Sequence, residues 1–275
     1  MISGEQFQKL ADISLYGELN CIIEDQNRHL KQNLVNLNDL ETSHIKQYKK
    51  IFIYTHFLMD FFNKFYDHLS DDTIIISHNS DHCVDDTFIK YLEGNKISKW
   101  YCQNRLVSHP KLISLPIGLA NSQWQHGDQQ LIKSVRNTSI LKNNLVFKNF
   151  DCSTNINARR LCDEITSHNN IMMSQRTSNL QYWTNIANSV FVISPPGNGI
   201  DCHRIWECLY LKSMPIVLKH EALEQFKHLP IIFVDSWEEV TQQFLIDSIP
   251  KKHDHNKMFN NIDMLDINYW KKILK

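Results

Sequence analysis

The stretch Val190–Val217, VFVISPPGNGIDCHRIWECLYLKSMPIV, decides how this chain is read. Val190–Ile193 is a short apolar, β-branched run and predicts a buried strand. Ser194–Ile200 joins two prolines to Gly-Asn-Gly, a rigid corner followed by a pliable one. A helix should follow, with Asp201 as its cap, and Pro215–Leu218 reads as the next strand. The whole is one βαβ unit with its loop at the strand's carboxyl end, where open parallel sheets bind ligands.

The loop has a chemistry of its own. Gly197 and Gly199 lack a β-carbon, so the backbone can take positive φ and approach a ligand closely. The amides of Asn198, Gly199, Ile200 and Asp201 would then point from a helix N-terminus, which suits an anion. Arg204, in the first turn, adds a fork-shaped cation matched to phosphate oxygens. Glu207 lies at i+3 on the same face, where a carboxylate would repel phosphate but accept bonds from paired ribose hydroxyls. Trp206, Leu209 and Tyr210 fall opposite and should pack on the sheet. The composite reads as a nucleoside-diphosphate pocket. Against it stands a plain turn followed by a surface ion pair worth little. A dinucleotide fingerprint is demoted, because Cys202 occupies its third glycine position.

SPPGNGIDCHRIWECLYLKSMPIV resembles the signature segment of the exostosin-like glycosyltransferases, in a short soluble form found in bacteria and in large DNA viruses such as chloroviruses. ISHNSDH (76–82), KWYCQN (99–104), LPIGLANSQWQHGD (115–128), FKNFDCSTNINARR (147–160) and LPIIFVDSWEEVT (229–241) extend the likeness over roughly residues 50–245. The resemblance implies a GT-B fold of two Rossmann-like domains facing a central cleft. It also implies a nucleotide-sugar donor, usually a UDP-sugar, a glycan acceptor and inversion at the anomeric carbon. UDP-xylose is the first donor expected, with UDP-galactose, UDP-glucuronate and UDP-N-acetylglucosamine open.

Composition bounds the alternatives. The 275 residues suit two small domains or one large one, and 42% hydrophobic with 21% charged residues is ordinary for a globular protein. A net charge of −1 gives no electrostatic footprint for nucleic acid. No long apolar span occurs, and MISGEQFQKL lacks an apolar signal core, so a soluble cytoplasmic protein is expected. The seven cysteines are scattered without a C-x-x-C pair, which argues against a disulfide framework. The fourteen histidines show no metal-ligand spacing.

Along the chain, Lys50–Thr55, Thr73–Ser77, Lys96–Trp100 and Lys111–Leu115 read as strands, with an aromatic helix near Phe57–Leu69 between the first two. Residues 18–48 hold one expected helix, and a junction near 138–143 divides domain 1–140 from domain 141–275. The second domain should run strand 144–150, helix 157–168, strand 170–174, helix 178–188, the signature unit, strand 231–234 and a capped helix from Ser236. A tail helix near 264–274 should cross back to the first domain, anchored by Trp270.

A GT-B transferase would bind its acceptor on the first domain and its donor on the second. An inverting reaction needs a base for the acceptor hydroxyl. Asp81, following strand Thr73–Ser77, is the first choice, with His78 as alternative and a turn-stabilising role for Asp81 equally open. Ser153, Thr154 and Asn155 should reach the diphosphate, helped by Arg159, Ser174, Arg176 and the loop from Pro196 to Asp201. His203 is expected near the sugar or phosphate. Asn121, Gln123 and Trp124 combine amides with an aromatic platform for an acceptor sugar. Without an apolar-flanked Asp-x-Asp pair, metal-independent chemistry is expected, with no cofactor beyond the donor. A non-catalytic nucleotide-sugar or glycan-binding protein, and more weakly an NAD-linked oxidoreductase, are the competing readings.

Overall fold

The computed structural model describes residues 1–17, 34–138, 141–260 and 262–275. The described residues form an α/β protein with two parallel sheets, of six and four strands. They gather into two compact units, Ile2–Gly127 with Ile267–Lys275, and Asp128–Asp266 with Met1. The helix Gln129–Asn137, capped by Asp128, groups with the second unit because Ile132 and Val135 bury against helix Asn179–Asn188. The division therefore falls ahead of residues 138–143, and the terminal helix Ile267–Ile273 belongs with the first unit.

The first sheet contains β1 (Ile13–Tyr16), β2 (Leu34–Asn36), β3 (Lys50–Tyr54), β4 (Thr73–His78), β5 (Ile97–Cys102) and β6 (Leu112–Ser114). Its order is β2-β1-β3-β4-β5-β6, every pair parallel. Continuous apolar runs such as KIFIY and TIIIS are what a parallel sheet covered on both faces requires. Ile51, Ile53, Ile75 and Trp100 pack on one face with the aromatic helix Leu58–Phe65. There Phe62 stacks on Tyr91 at 4.2 Å. On the opposite face, Phe7 of helix Gly4–Gln8 meets Trp270 edge-on at 5.5 Å and His78 at 5.2 Å, and the Tyr101 hydroxyl donates to the Ile273 carbonyl. Strands β1 and β2 and helix Gly4–Gln8 carry no strong periodicity and were not expected from sequence. The expected helix of 18–48 falls largely outside the described residues.

The second sheet contains β7 (Asn144–Phe147), β8 (Ser189–Ile193), β9 (Met214–Leu218) and β10 (Ile232–Val234), in the order β10-β9-β8-β7 and all parallel. Residues 170–174, expected as a strand, are not one. They run beside the outer edge of β7 with a single ladder-like bond, Ser174 N–H to the Lys148 carbonyl at 2.8 Å. The Asn149 side chain takes the Ser174 and Gln175 carbonyls instead, so the ladder stops. From β7 the chain reaches the neighbouring strand β8 through helices Ile156–His168 and Asn179–Asn188. Strands β7 to β10 lie side by side in chain order, and the crevice at the carboxyl ends of β7 and β8 is on the side where open parallel sheets bind ligands. Lys148 ties helix Ile156–His168 to the end of β7, buried, with its ammonium 2.8 Å from Asp163 and bonded to Thr166 and Ser167.

Candidate functional site

Two loops meet at that crevice, 148–155 after β7 and 194–202 after β8. Arg159, in the first turns of helix Ile156–His168 and 7% exposed, clasps them. Its Nε donates to the Pro196 carbonyl at 2.9 Å and its Nη1 to the Asp151 carbonyl at 2.8 Å. Asn155 adds a second tie, its Nδ2 donating to the Gly197 carbonyl at 2.8 Å while its Oδ1 caps the helix at Ala158. Ser153, exposed, donates its N–H and hydroxyl to the Asp151 carboxylate, and Thr154 lies against Gly197.

The signature loop differs from expectation in two respects. Neither Gly197 nor Gly199 has positive φ; among the described glycines Gly118 alone does. Glycine at 197 answers a demand for space, since a β-carbon there would stand 3.2 Å from Nη2 of Arg159. Asp201 is no cap either. The helix runs His203–Tyr210 with Cys202 at its N-cap and no side-chain capping bond. Buried Asp201 instead accepts from the Trp206 indole N–H at 2.7 Å, because Trp206 turns its nitrogen back over the first turn while its rings pack on Phe226. Asn198 is exposed; Ile200 and His203 are partly buried around the loop.

Arg204 and Glu207 share a face but, among the described residues, no ion pair joins them. Tyr182 stands between. Arg204 Nε donates to the Tyr182 hydroxyl at 3.0 Å, and that hydroxyl donates to Glu207 Oε2 at 3.3 Å. The Trp183 indole N–H reaches Oε1 at 3.2 Å, so both oxygens of Glu207, 5% exposed, are engaged within the unit rather than facing a ribose. Burial raises the Glu207 pKa, opposed by the Trp183 bond, Arg204 and Tyr182. Burial also works against the Arg204 charge, yet Tyr182, Cys202 and Glu207 hold its pKa above the ordinary arginine value.

The electrostatic feature of the crevice is a pair of like charges. Arg159 and Arg204 both lie over the ring of Phe150, at 5.9 and 5.7 Å. Among the described residues neither has a carboxylate within ion-pair distance, and Nη1 of Arg204 is buried without a hydrogen-bond partner. Burial first, and Arg204 next, lower the pKa of Arg159. Arg176 is exposed and adds positive potential beside Asp151, whose pKa falls chiefly through its bonds from Ser153. Ser174 is partly buried and committed through its backbone to Lys148 and Asn149. Phe150, Tyr182 and Trp183 were not anticipated: aromatic residues in an amphipathic helix or after a strand look like core in sequence.

In the first unit the expected residues are also placed. Asp81 is exposed in the bend after the carboxyl end of β4. His78 closes that strand, 1% exposed; its Nδ1 accepts the Asn79 N–H at 2.7 Å and its Nε2 faces the Pro116 carbonyl at 3.1 Å. Those bonds put the proton on Nε2 and use both nitrogens, so His78 has none left for the role of base. Asn121 is equally committed, accepting from Glu5 N–H and donating to Asn79, which fits a fold-stabilising residue rather than an acceptor contact. Gln123 is partly buried with Nε2 unpartnered, and Trp124 is exposed and stacked parallel to His126 at 6.3 Å. His56, half-buried after β3, has its ring 6.0 Å from His82 and its pKa lowered by burial and that neighbour.

Among the described residues no group of three His, Cys, Asp or Glu side chains could hold a metal ion, and no helix is long and apolar enough to cross a membrane. Comparison of the chain with protein-family models finds no match, and neither does comparison with curated proteins.

Proposed function

We propose that the chain is an inverting glycosyltransferase of GT-B organisation, using a UDP-sugar as donor and a glycan hydroxyl as acceptor. One observation carries the donor half of this reading: two arginines without acidic partners among the described residues, Arg159 and Arg204, both lie over Phe150 at the carboxyl ends of β7 and β8. Two guanidinium groups over one ring, each felt by the other's charge, call for a ligand with at least two negative charges, and a diphosphate meets that demand. The likeness of the SPPGNGID…RIWE segment to exostosin-like enzymes supplies the sugar and the uridine. In the reaction, Asp81 takes the proton of the acceptor hydroxyl as its oxygen attacks the anomeric carbon. The bond to UDP breaks on the opposite face, and the electron pair leaves with the diphosphate. Arg204, and the Nη2 of Arg159 that its loop bonds leave over, oppose the charge that grows there. No metal is needed for that task, and EDTA should leave transfer unchanged.

The test is a panel of UDP-sugars beginning with UDP-xylose, scored by thermal protection and by UDP release. UDP should protect and NAD should not. Arg204→Ala should weaken UDP binding by about 1–3 kcal/mol, the value of a lost charge-assisted bond. Protection by NAD alone would overturn the reading. Binding of UDP-sugars without transfer to any glycan, with Asp81→Ala binding the donor like the parent, would favour the non-catalytic alternative.

A further inference from the structure

Resting on the donor-site reading above, we propose that Tyr182 is a positioning residue, set by Glu207, that keeps the Arg204 guanidinium separate from that carboxylate and available to the ligand's diphosphate. An Arg and a Glu at i and i+3 on one helix ordinarily meet and neutralise each other. Here the phenol hydroxyl occupies the space between them, accepting from Nε and donating to Oε2. The carboxylate cannot swing past it, because the next residue of the same helix, Trp183, holds Oε1. The buried Nη1 therefore keeps its hydrogen-bonding capacity, beside the guanidinium of Arg159 over Phe150. Glu207 acts through Tyr182 and not on ribose, which accounts for its near-complete burial.

Calorimetric titration of the full chain with UDP and with inorganic pyrophosphate tests this in Tyr182→Phe, Glu207→Gln and the double variant. Removing the hydroxyl lets Glu207 close on Arg204, so Tyr182→Phe should lose about tenfold in affinity for both ligands, and the double variant should regain most of it, because coupled residues do not add. A role in packing alone predicts additive losses instead. Pyrophosphate binding by Tyr182→Phe at the parent's affinity, or a double variant weaker than Tyr182→Phe, would overturn the assignment. Should Tyr182→Phe fail to fold, Glu207→Gln decides by itself. Equal or tighter binding of both ligands supports the positioning role, whereas a loss confined to UDP returns Glu207 to the ribose and refutes it. If the parent protein binds neither ligand, the donor-site reading itself falls, an outcome distinct from all of these.

Discussion

Replacing Arg159 with methionine should detach the two loops that form the crevice. The residue is 7% exposed and makes bonds of 2.9 and 2.8 Å to the carbonyls of Pro196 and Asp151. Bonds from a charged donor contribute about 1.5–3 kcal/mol each, so their joint loss approaches 3–6 kcal/mol. Two terms offset this. Methionine keeps much of the apolar stem, and removing the charge relieves repulsion from Arg204, which helps to lower the Arg159 pKa. A net cost of about 3 kcal/mol remains, or a fall of something like 9 °C in the melting temperature of a unit of this size. Because the acceptors are neutral carbonyls, the cost should hardly change between low and high salt, unlike that of a surface ion pair. Differential scanning calorimetry at two salt concentrations reads both effects, with the second unit's transition followed separately, since two units need not melt together. Arg159→Lys should fall between, one amine being unable to reach both carbonyls along separate directions. A melting temperature within about 2 °C of the parent for Arg159→Met would refute the clasp, given the per-kcal shift expected at this size.

Lys142 offers a pH test. Its amine bonds to the Ser213 hydroxyl and the Leu211 carbonyl, and burial lowers its pKa to about 7. Between pH 7 and about 10.5 the unfolded chain binds the extra proton, so this residue's contribution to stability rises with pH across that window and is lost as pH falls through 7. Urea unfolding should therefore show stability rising by about 5 kcal/mol over the window, a rise that Lys142→Met lacks; equal pH dependence in both proteins would exclude it. Asp81→Asn should cut glycosyl transfer by about 100-fold or more while UDP binds unchanged, and transfer at the parent's rate would remove Asp81 from the mechanism. Trp124→Ala should raise the acceptor KM without altering UDP affinity, whereas a change in melting temperature with unaltered KM would make Trp124 structural.

Much of the architecture is legible in the sequence. KIFIY and TIIIS announce buried parallel strands, and the strand and helix of Ser189–Tyr210 follow from their β-branched run and amphipathic spacing. The failures have particular causes. Ile171–Ser174 is apolar enough for a strand, but the Asn149 side chain takes the carbonyls of Ser174 and Gln175 where a ladder would continue. Asp201 sits where a cap belongs, yet the Trp206 indole offered it a buried bond, and no local rule anticipates that competition. The glycines of the signature loop suggest conformational freedom, whereas Gly197 serves the room that Arg159 needs.

For the chain as a whole, sequence determined the parallel α/β class, the place of the loop between β8 and its helix, and the presence of Arg204 and Glu207 on one face. These rest on periodicity and on residues close in the chain, where geometry follows from spacing. Only the tertiary structure decided what those two residues do. Tyr182 and Trp183 arrive from a helix some twenty residues earlier, and Arg159 from one more than forty residues before Arg204. Spacing along one helix brings Arg204 and Glu207 together; a phenol hydroxyl from another helix keeps them apart.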